Sequence, residues 1–209
     1  VLKLYGFIRS RSNRPHWALE ELEVPYTFYQ LDFSKGDSRS AAFHAINSGG
    51  KIPTLLDGDL VLTESVAICN YLAEKFPEKG LIPASGTIER AKYDEWMFFL
   101  LTELEQPLWS KGKHTFALPE EVRIPAMLET ATFEFKRAVD LAAEKLGDRT
   151  WCVGDSFSMV DIVLAHTLRW AVSFEFKHEH ANLTAFLERM EARPAFQRML
   201  NSEKLDFPR

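Results

Sequence analysis

Apolar and polar positions alternate over Leu2-Lys3-Leu4-Tyr5-Gly6, and a second strand-like stretch rich in aromatic residues runs from Tyr26 to Asp32. Between them Trp17, Ala18, Leu19, Leu22 and Val24 recur at helical spacing, and Pro15 falls at about the first turn. The pattern predicts a β-α-β unit with a right-handed crossover and parallel strands. Ser34 to Ser38 reads as a turn, Ser40 to Ile46 as a short helix, and Asn47-Ser48-Gly49-Gly50 as a loop. Two apolar runs, Thr54 to Leu56 and Leu60 to Leu62, then flank Asp57-Gly58-Asp59, where a glycine between acids supplies the positive φ of a tight hairpin. After the hairpin, Val66, Ile68, Cys69 and Leu72 trace one face of a helix, so Thr63-Glu64-Ser65 is a strand-to-helix junction.

Past Pro77 the pattern changes. Residues 78–86 are dense in helix breakers and read as a linker, and no strand pattern survives from Thr87 onward. Ile88, Ala91, Trp96, Phe98, Phe99, Leu101 and Leu104 predict a long helix that Pro107 kinks or ends. A second helix is expected from about Pro119 to Leu146, with Leu128, Ala131, Phe135, Ala138, Val139 and Ala142 on one face and Gly147 as its stop. Ser158 and Asp161 have the spacing of a capping box, with Phe157 placed to staple onto Ile162, which makes their role structural. Shorter helices follow over Leu183 to Met190 and Pro194 to Leu200. The expected organisation is an α/β domain over 1–77, a linker over 78–86 and an all-helical domain over 87–209.

Composition narrows the partners. Of 209 residues 46% are apolar and 26% charged, ordinary values for a folded soluble chain able to bury a substantial core. A net charge of −5 without a long basic run argues against nucleic acid or an anionic membrane as partner, and no apolar run is long enough for a span. The two cysteines, Cys69 and Cys152, match neither a redox pair, a zinc spacing nor a disulfide framework. They read as small buried hydrophobes in a reducing, cytoplasmic setting, and no metal is assigned; His178-Glu179-His180 lacks the helical spacing of a metal pair.

The chemistry concentrates at two places. The first turn of a helix leaves N–H groups unpaired and carries the positive end of the dipole, so the Glu64-Ser65 junction can hold an α-amino acid by both charges. Pro53 stands directly before a strand, and an X-Pro bond is where a cis peptide is tolerated. A cis Ile52-Pro53 bond would turn the Ile52 N–H and C=O outward to pair with an extended peptide. The loop Phe7-Ile8-Arg9-Ser10-Arg11-Ser12-Asn13-Arg14 is rich in hydroxyls at a helix start, a setting that lowers a thiol's pKa.

Lys51-Ile52-Pro53-Thr54-Leu55, Asp57-Gly58, Leu62-Thr63-Glu64-Ser65-Val66-Ala67-Ile68 and Tyr71-Leu72 together resemble the glutathione-binding half of the cytosolic glutathione S-transferases. The resemblance implies a thioredoxin-like α/β domain followed by an all-α domain. It also implies glutathione as co-substrate, its cysteinyl backbone on Ile52 and Pro53, and its γ-glutamyl end on Glu64 and Ser65. His44 or Asn47 would touch the glycyl end, with Lys51 beside the loop. In that family a Tyr, Ser or Cys in the first loop activates the thiol. Here Gly6 and Phe7 stand near the Tyr positions and the loop has no Cys, which leaves Ser10 or Ser12. Aligning from the strand Leu4-Tyr5 favours Ser10, because Arg9-Ser10 resembles the Arg-Ser pair of the zeta-like Ser classes; counting back from the helix makes Ser12 competitive, but Ser12 also reads as that helix's N-cap, so Ser10 is the expected donor. Arg11 and Arg14 could add positive potential there, although either is more often a surface charge. A small hydrophobic electrophile would lie between the domains, against aromatic residues from Trp96 to Trp109 and from Trp170 to Phe176. The resemblance further implies a homodimer through the hairpin side. Two other readings stand beside the transferase: a glutathione-dependent isomerase of the zeta (maleylacetoacetate isomerase) type, and a non-catalytic interaction protein of the same fold.

Overall fold

A computed structural model describes residues 1–208. The chain forms two compact units, Val1–Ile82 together with the segment from Glu191 onward, and Pro83–Met190. The expected assignment of all of 87–209 to the helical part is therefore corrected at its end, because the last residues complete the sheet of the first unit.

In that unit β1 (Leu2–Gly6) and β2 (Tyr26–Gln30) are parallel, joined through α1 (Asn13–Leu22). α2 (Ala41–Ile46) starts at Ser40, whose hydroxyl accepts the Phe43 N–H at 3.1 Å. β3 (Thr54–Asp57) and β4 (Leu60–Thr63) form the predicted hairpin, with Gly58 at φ +59° in the turn, and α3 (Ser65–Lys75) follows. β5 (Leu205–Asp206) adds a parallel strand to β2, giving the order β4-β3-β1-β2-β5. Two residues are too few for an alternating pattern to register, so β5 is invisible in the sequence.

The period of two along β1 sends Leu2 and Leu4 to one face and Tyr5 to the other. Leu4 pairs with Phe28 and Leu55, all buried, while Tyr5 stacks on Tyr29 with ring centroids 5.0 Å apart. α1 is buried from Arg14 through Leu19 and again at Leu22, because it packs against both α3 and α9 (Pro194–Asn201).

The helical unit begins with α4 (Ile88–Phe99), which passes through a π turn at Leu100–Leu104 into α5 (Glu105–Gly112) and a second π turn at Lys113–Ala117. The helix thus runs on through Pro107 and does not end there. The widened turn before it moves the preceding carbonyls out of the path of the proline ring, which an ordinary α turn would not do. α6 (Met127–Leu146) starts later than expected: Pro125 disfavours a helical Ile124, and Glu120–Val122 makes only a 3₁₀ turn. α7 (Met159–Ser173) opens on the predicted capping box. The fully buried Asp161 accepts the Ser158 N–H at 2.8 Å and, on its other oxygen, the Cys152 N–H at 2.8 Å. Phe157 rests edge-on against Trp151, and α8 (Ala181–Glu191) completes the unit. Among the described residues no helix is long and apolar enough to cross a membrane, and no cluster of three or more His, Cys, Asp or Glu side chains could hold a metal. Both cysteines are fully buried, and burial pushes the Cys69 thiol up to about 12.

His16 ties α1 to the C-terminal segment. Its ring stacks on Phe28, and Nε2 lies 2.9 Å from both the Tyr26 and the Ser202 hydroxyls. Tyr26 gives its proton to Glu20 and Ser202 gives its own to the Met199 carbonyl, so Nε2 carries the imidazole proton and the buried Nδ1 is left without a hydrogen-bond partner. Burial, with a smaller contribution from Lys204, lowers the pKa from 6.5 to about 3. Between these values the unfolded chain binds a proton that the folded chain does not, so stability is lost as pH falls from 6.5 toward about 3. The loss is at most about 1.4 kcal/mol per pH unit. His16→Gln keeps a donor near Nε2 but does not titrate; urea denaturation across this window should show its stability falling less steeply with acid than that of the natural chain.

Candidate active site

The loop after β1 closes on itself through two hydroxyls. Ser12 is fully buried, packed so tightly on Gly6 that a Cβ there would lie 2.6 Å from the Ser12 Cβ. Its backbone is already helical and its side chain caps nothing; Oγ instead accepts the Phe7 N–H at 3.3 Å. The N-cap reading of Ser12 is thereby corrected. Ser10 is half-buried, and its Oγ lies 2.6 Å from the Phe7 carbonyl and 3.0 Å from the Ser12 Oγ. A hydroxyl has one proton, so the short contact to the carbonyl is the Ser10 donation and the longer one is made by the Ser12 proton. The Ser12 N–H adds a third bond, to the Ser10 Oγ at 3.1 Å. The first helical N–H groups are engaged as well: Asn13 and Arg14 donate to the carbonyls of Ser10 and Arg11. The expected open donors at this helix start are therefore filled by the loop itself.

The second loop begins at Asn47. The Ile52-Pro53 bond is cis, Pro53 and Thr54 are buried, Ile52 is half-buried and Lys51 is exposed. Asn47 donates to the Lys51 carbonyl at 2.8 Å and to the Thr54 hydroxyl at 3.1 Å, and accepts the Gly49 N–H at 2.9 Å. Its amide braces the loop from within, so it is not turned toward a ligand. The exposed His44 ring lies against Gly50, where a Cβ would stand 3.2 Å from Nε2 and 2.8 Å from the Ser38 carbonyl. With φ at +60°, that position admits only glycine.

At the third point, Glu64 is exposed with φ +66° and ψ +113°, a conformation outside the left-handed helical well, and Ser65 opens α3 at 5% exposure. Behind it stands Arg14, fully buried, whose Nη1 donates to the Ser65 Oγ at 3.3 Å. The surface reading of Arg14 is thus overturned. Arg14 shares a helical stripe with Trp17 and Ala18, three and four residues on, and that spacing was the available signal.

Family models fit both halves of the chain: glutathione S-transferase, N-terminal domain, over residues 1–74, and glutathione S-transferase, C-terminal domain, over 106–194. The chain belongs to the glutathione S-transferase family. Glutathione S-transferase GstA of Escherichia coli O157:H7 is 32% identical over 98% of this transferase and 100% of its own length. Among solved structures, a glutathione transferase from Methylococcus capsulatus str. Bath has a TM-score of 0.86 at 32% identity, covering 97% of this chain and 98% of that one. A sphingomonad glutathione S-transferase, solved in complex with glutathione, has a TM-score of 0.83 at 27% identity, covering 96% and 98%.

In the helical unit of the transferase an aromatic group surrounds Gly112, where a Cβ would lie 3.4 to 3.5 Å from the rings of Phe174, Phe116 and Trp109. Trp170 meets Phe174 edge-on at 5.6 Å, and Phe116 is 62% exposed, so this surface is apolar and open. Trp96, by contrast, is a core residue. A cleft of about 470 Å³ between Phe99–Pro107 and Glu134–Leu141 contains none of the expected glutathione-binding residues and, of the aromatic residues expected at the electrophile, only Phe99.

Non-glycine residues held outside the allowed wells cost roughly 1–3 kcal/mol. Glu64→Gly should therefore stabilise the transferase by about 1 kcal/mol in urea denaturation, offset in part by the added freedom of the unfolded chain.

Proposed function

We propose that this transferase holds glutathione across the first unit, with its sulfur at Ser10, and presents the thiolate to a small hydrophobic electrophile. The carrying observation is the unequal standing of the two serines. The Ser12 hydroxyl is sealed beneath Gly6 and spends its proton on Ser10, whereas Ser10 is half-exposed at the loop tip. One torsion swings the Ser10 proton from the Phe7 carbonyl to an incoming sulfur. The Ser12 N–H and O–H remain bonded to the Ser10 Oγ, and two donors on an oxygen strengthen the bond its own proton makes. Ser10 stabilises the thiolate by that bond and forms no covalent intermediate; the thiolate attacks the electrophilic carbon.

The rest of glutathione then follows the fold. Its cysteinyl backbone pairs with Ile52 beside Pro53. Its γ-glutamyl amine meets Glu64, and its carboxylate meets the start of α3 and the Ser65 hydroxyl. Because Arg14 donates to Ser65, the Ser65 proton is left for the carboxylate, and the guanidinium adds positive potential behind it. Lys51 supplies a cation and His44 a ring N–H donor for the glycyl carboxylate, and both side chains are exposed. The open aromatic surface around Gly112 supports an apolar electrophile.

Ser10→Ala should raise the pKa of bound glutathione, read from thiolate absorbance, by about 1–2 units and lower kcat/KM near neutrality by about 10–100-fold. Ser12→Ala should cost only a few-fold, about 1 kcal/mol, since it removes one of the bonds that orient Ser10. A larger effect at Ser12 than at Ser10 would reverse the assignment.

The transferase is also proposed to self-associate through the hairpin. Leu60 and Val61 on the outer strand β4 are 37% and 45% exposed, an apolar edge that a partner would cover. Light scattering should give twice the monomer mass for the natural chain, and the monomer mass for Val61→Lys.

A further inference from the structure

Tyr5, Leu31, Phe43 and Phe207 form a small core against which the side chain of Ile52 packs. The Phe207 ring meets Tyr5 edge-on at 6.0 Å and Phe43 at 5.7 Å. Phe207 is the one buried residue of the described segment 202–208. That segment is fixed along its length. Ser202 bonds His16 at 2.9 Å, Leu205 and Asp206 lie in register with Tyr29 and Gln30, and the Phe207 N–H donates to the Gln30 carbonyl at 3.1 Å. Two paths lead from the Phe207 ring to the loop around Pro53. Phe43 precedes His44, whose ring abuts Gly50, and Tyr5 faces Thr54 across the sheet.

We propose that Phe207 is a positioning residue for the glutathione site: its ring fills the seat on which Ile52 rests and so fixes where the Ile52 backbone stands. The inference builds on the assignment of Ile52 to the cysteinyl backbone. With the ring removed, Ile52 and Phe43 can settle inward, and the Ile52 N–H and C=O shift relative to the ends held at Glu64 and His44. A misplacement of this kind weakens capture of the tripeptide. It disturbs the Ser10 loop far less, because the Ser10 and Ser12 hydroxyls bond the Phe7 backbone and each other, and Gly6 is tied to the cluster only through the main chain, by the Leu31 N–H at 2.9 Å.

The test compares Phe207→Ala with Phe207→Leu in the full chain. For Phe207→Ala we expect KM for glutathione to rise about tenfold with kcat at saturation within about twofold of the natural value. Phe207→Leu, which restores most of the apolar volume, should return KM to within about twofold. Hydrogen exchange should quicken over residues 47–56 in Phe207→Ala while α7 of the helical unit is unchanged, a pattern that general loss of stability would not give. An unchanged KM with a reduced kcat, or exchange that quickens equally in both units, overturns the proposal. If the natural chain binds no glutathione in calorimetry, the reading of Ile52 fails. The exchange pattern then decides by itself whether Phe207 positions the loop.

Discussion

A hydroxyl group carries a single proton, and that constraint organises the first loop of this transferase. Two serines lie 3.0 Å apart, but they cannot donate to each other at once. Steric exclusion sets the order: Gly6 permits Ser12 to sink against β1 where any side chain would collide with it, and the buried Ser12 must then spend its proton inside the loop. The half-exposed serine is the one left able to redirect its own. The direction of the hydrogen bonds, from Phe7 N–H through Ser12 to Ser10 and back to the Phe7 carbonyl, follows from packing and not from any intrinsic difference between two identical side chains.

The same logic of buried polar groups recurs wherever the fold is pinned. Arg14, His16 and Asp161 are each essentially removed from water, and a buried charge or donor is tolerated only where a partner meets it. Asp161 satisfies this by accepting from two backbone N–H groups, and burial still raises its pKa against their pull. His16 meets it differently, by staying neutral. Arg14 satisfies it in part by donating to the serine at the start of α3. These groups are therefore not interchangeable with apolar ones, although they sit where apolar side chains would ordinarily be.

Much of this was legible before the structure. The hairpin around Gly58, the junction at Glu64-Ser65, the capping box at Asp161 and both β-α units follow from local periodicity and turn chemistry, which act within a few residues of the chain. What escaped depends on distant segments. β5 has too little length to show a period, and it exists because β2 offers it an edge. Pro107 reads as a breaker because its tolerance rests on a π turn that the side-chain pattern does not encode. Arg14 reads as a surface charge because composition weighs a residue by type, whereas its neighbours at i+3 and i+4 place it on the buried stripe. Ser12 looked like an N-cap because capping statistics take no account of the glycine beneath it.

Stability and ligand capture pull the first unit in different directions, and the positions of conflict are separable. Glu64 holds a backbone conformation that an L residue adopts reluctantly, and nothing in its own solvent-exposed side chain compensates. Such a conformation persists only when the segments on either side are fixed more firmly than the residue itself prefers. β4 and α3 provide this, the first through its ladder with β3 and the second through its packing on α1. The strained residue is thus placed where two rigid elements meet, with the anion-attracting end of α3 immediately after it. Relaxing Glu64 would re-aim the first N–H groups of that helix, so under the proposed reading of this junction the rigidity of the surrounding sheet and helices is itself part of ligand selection.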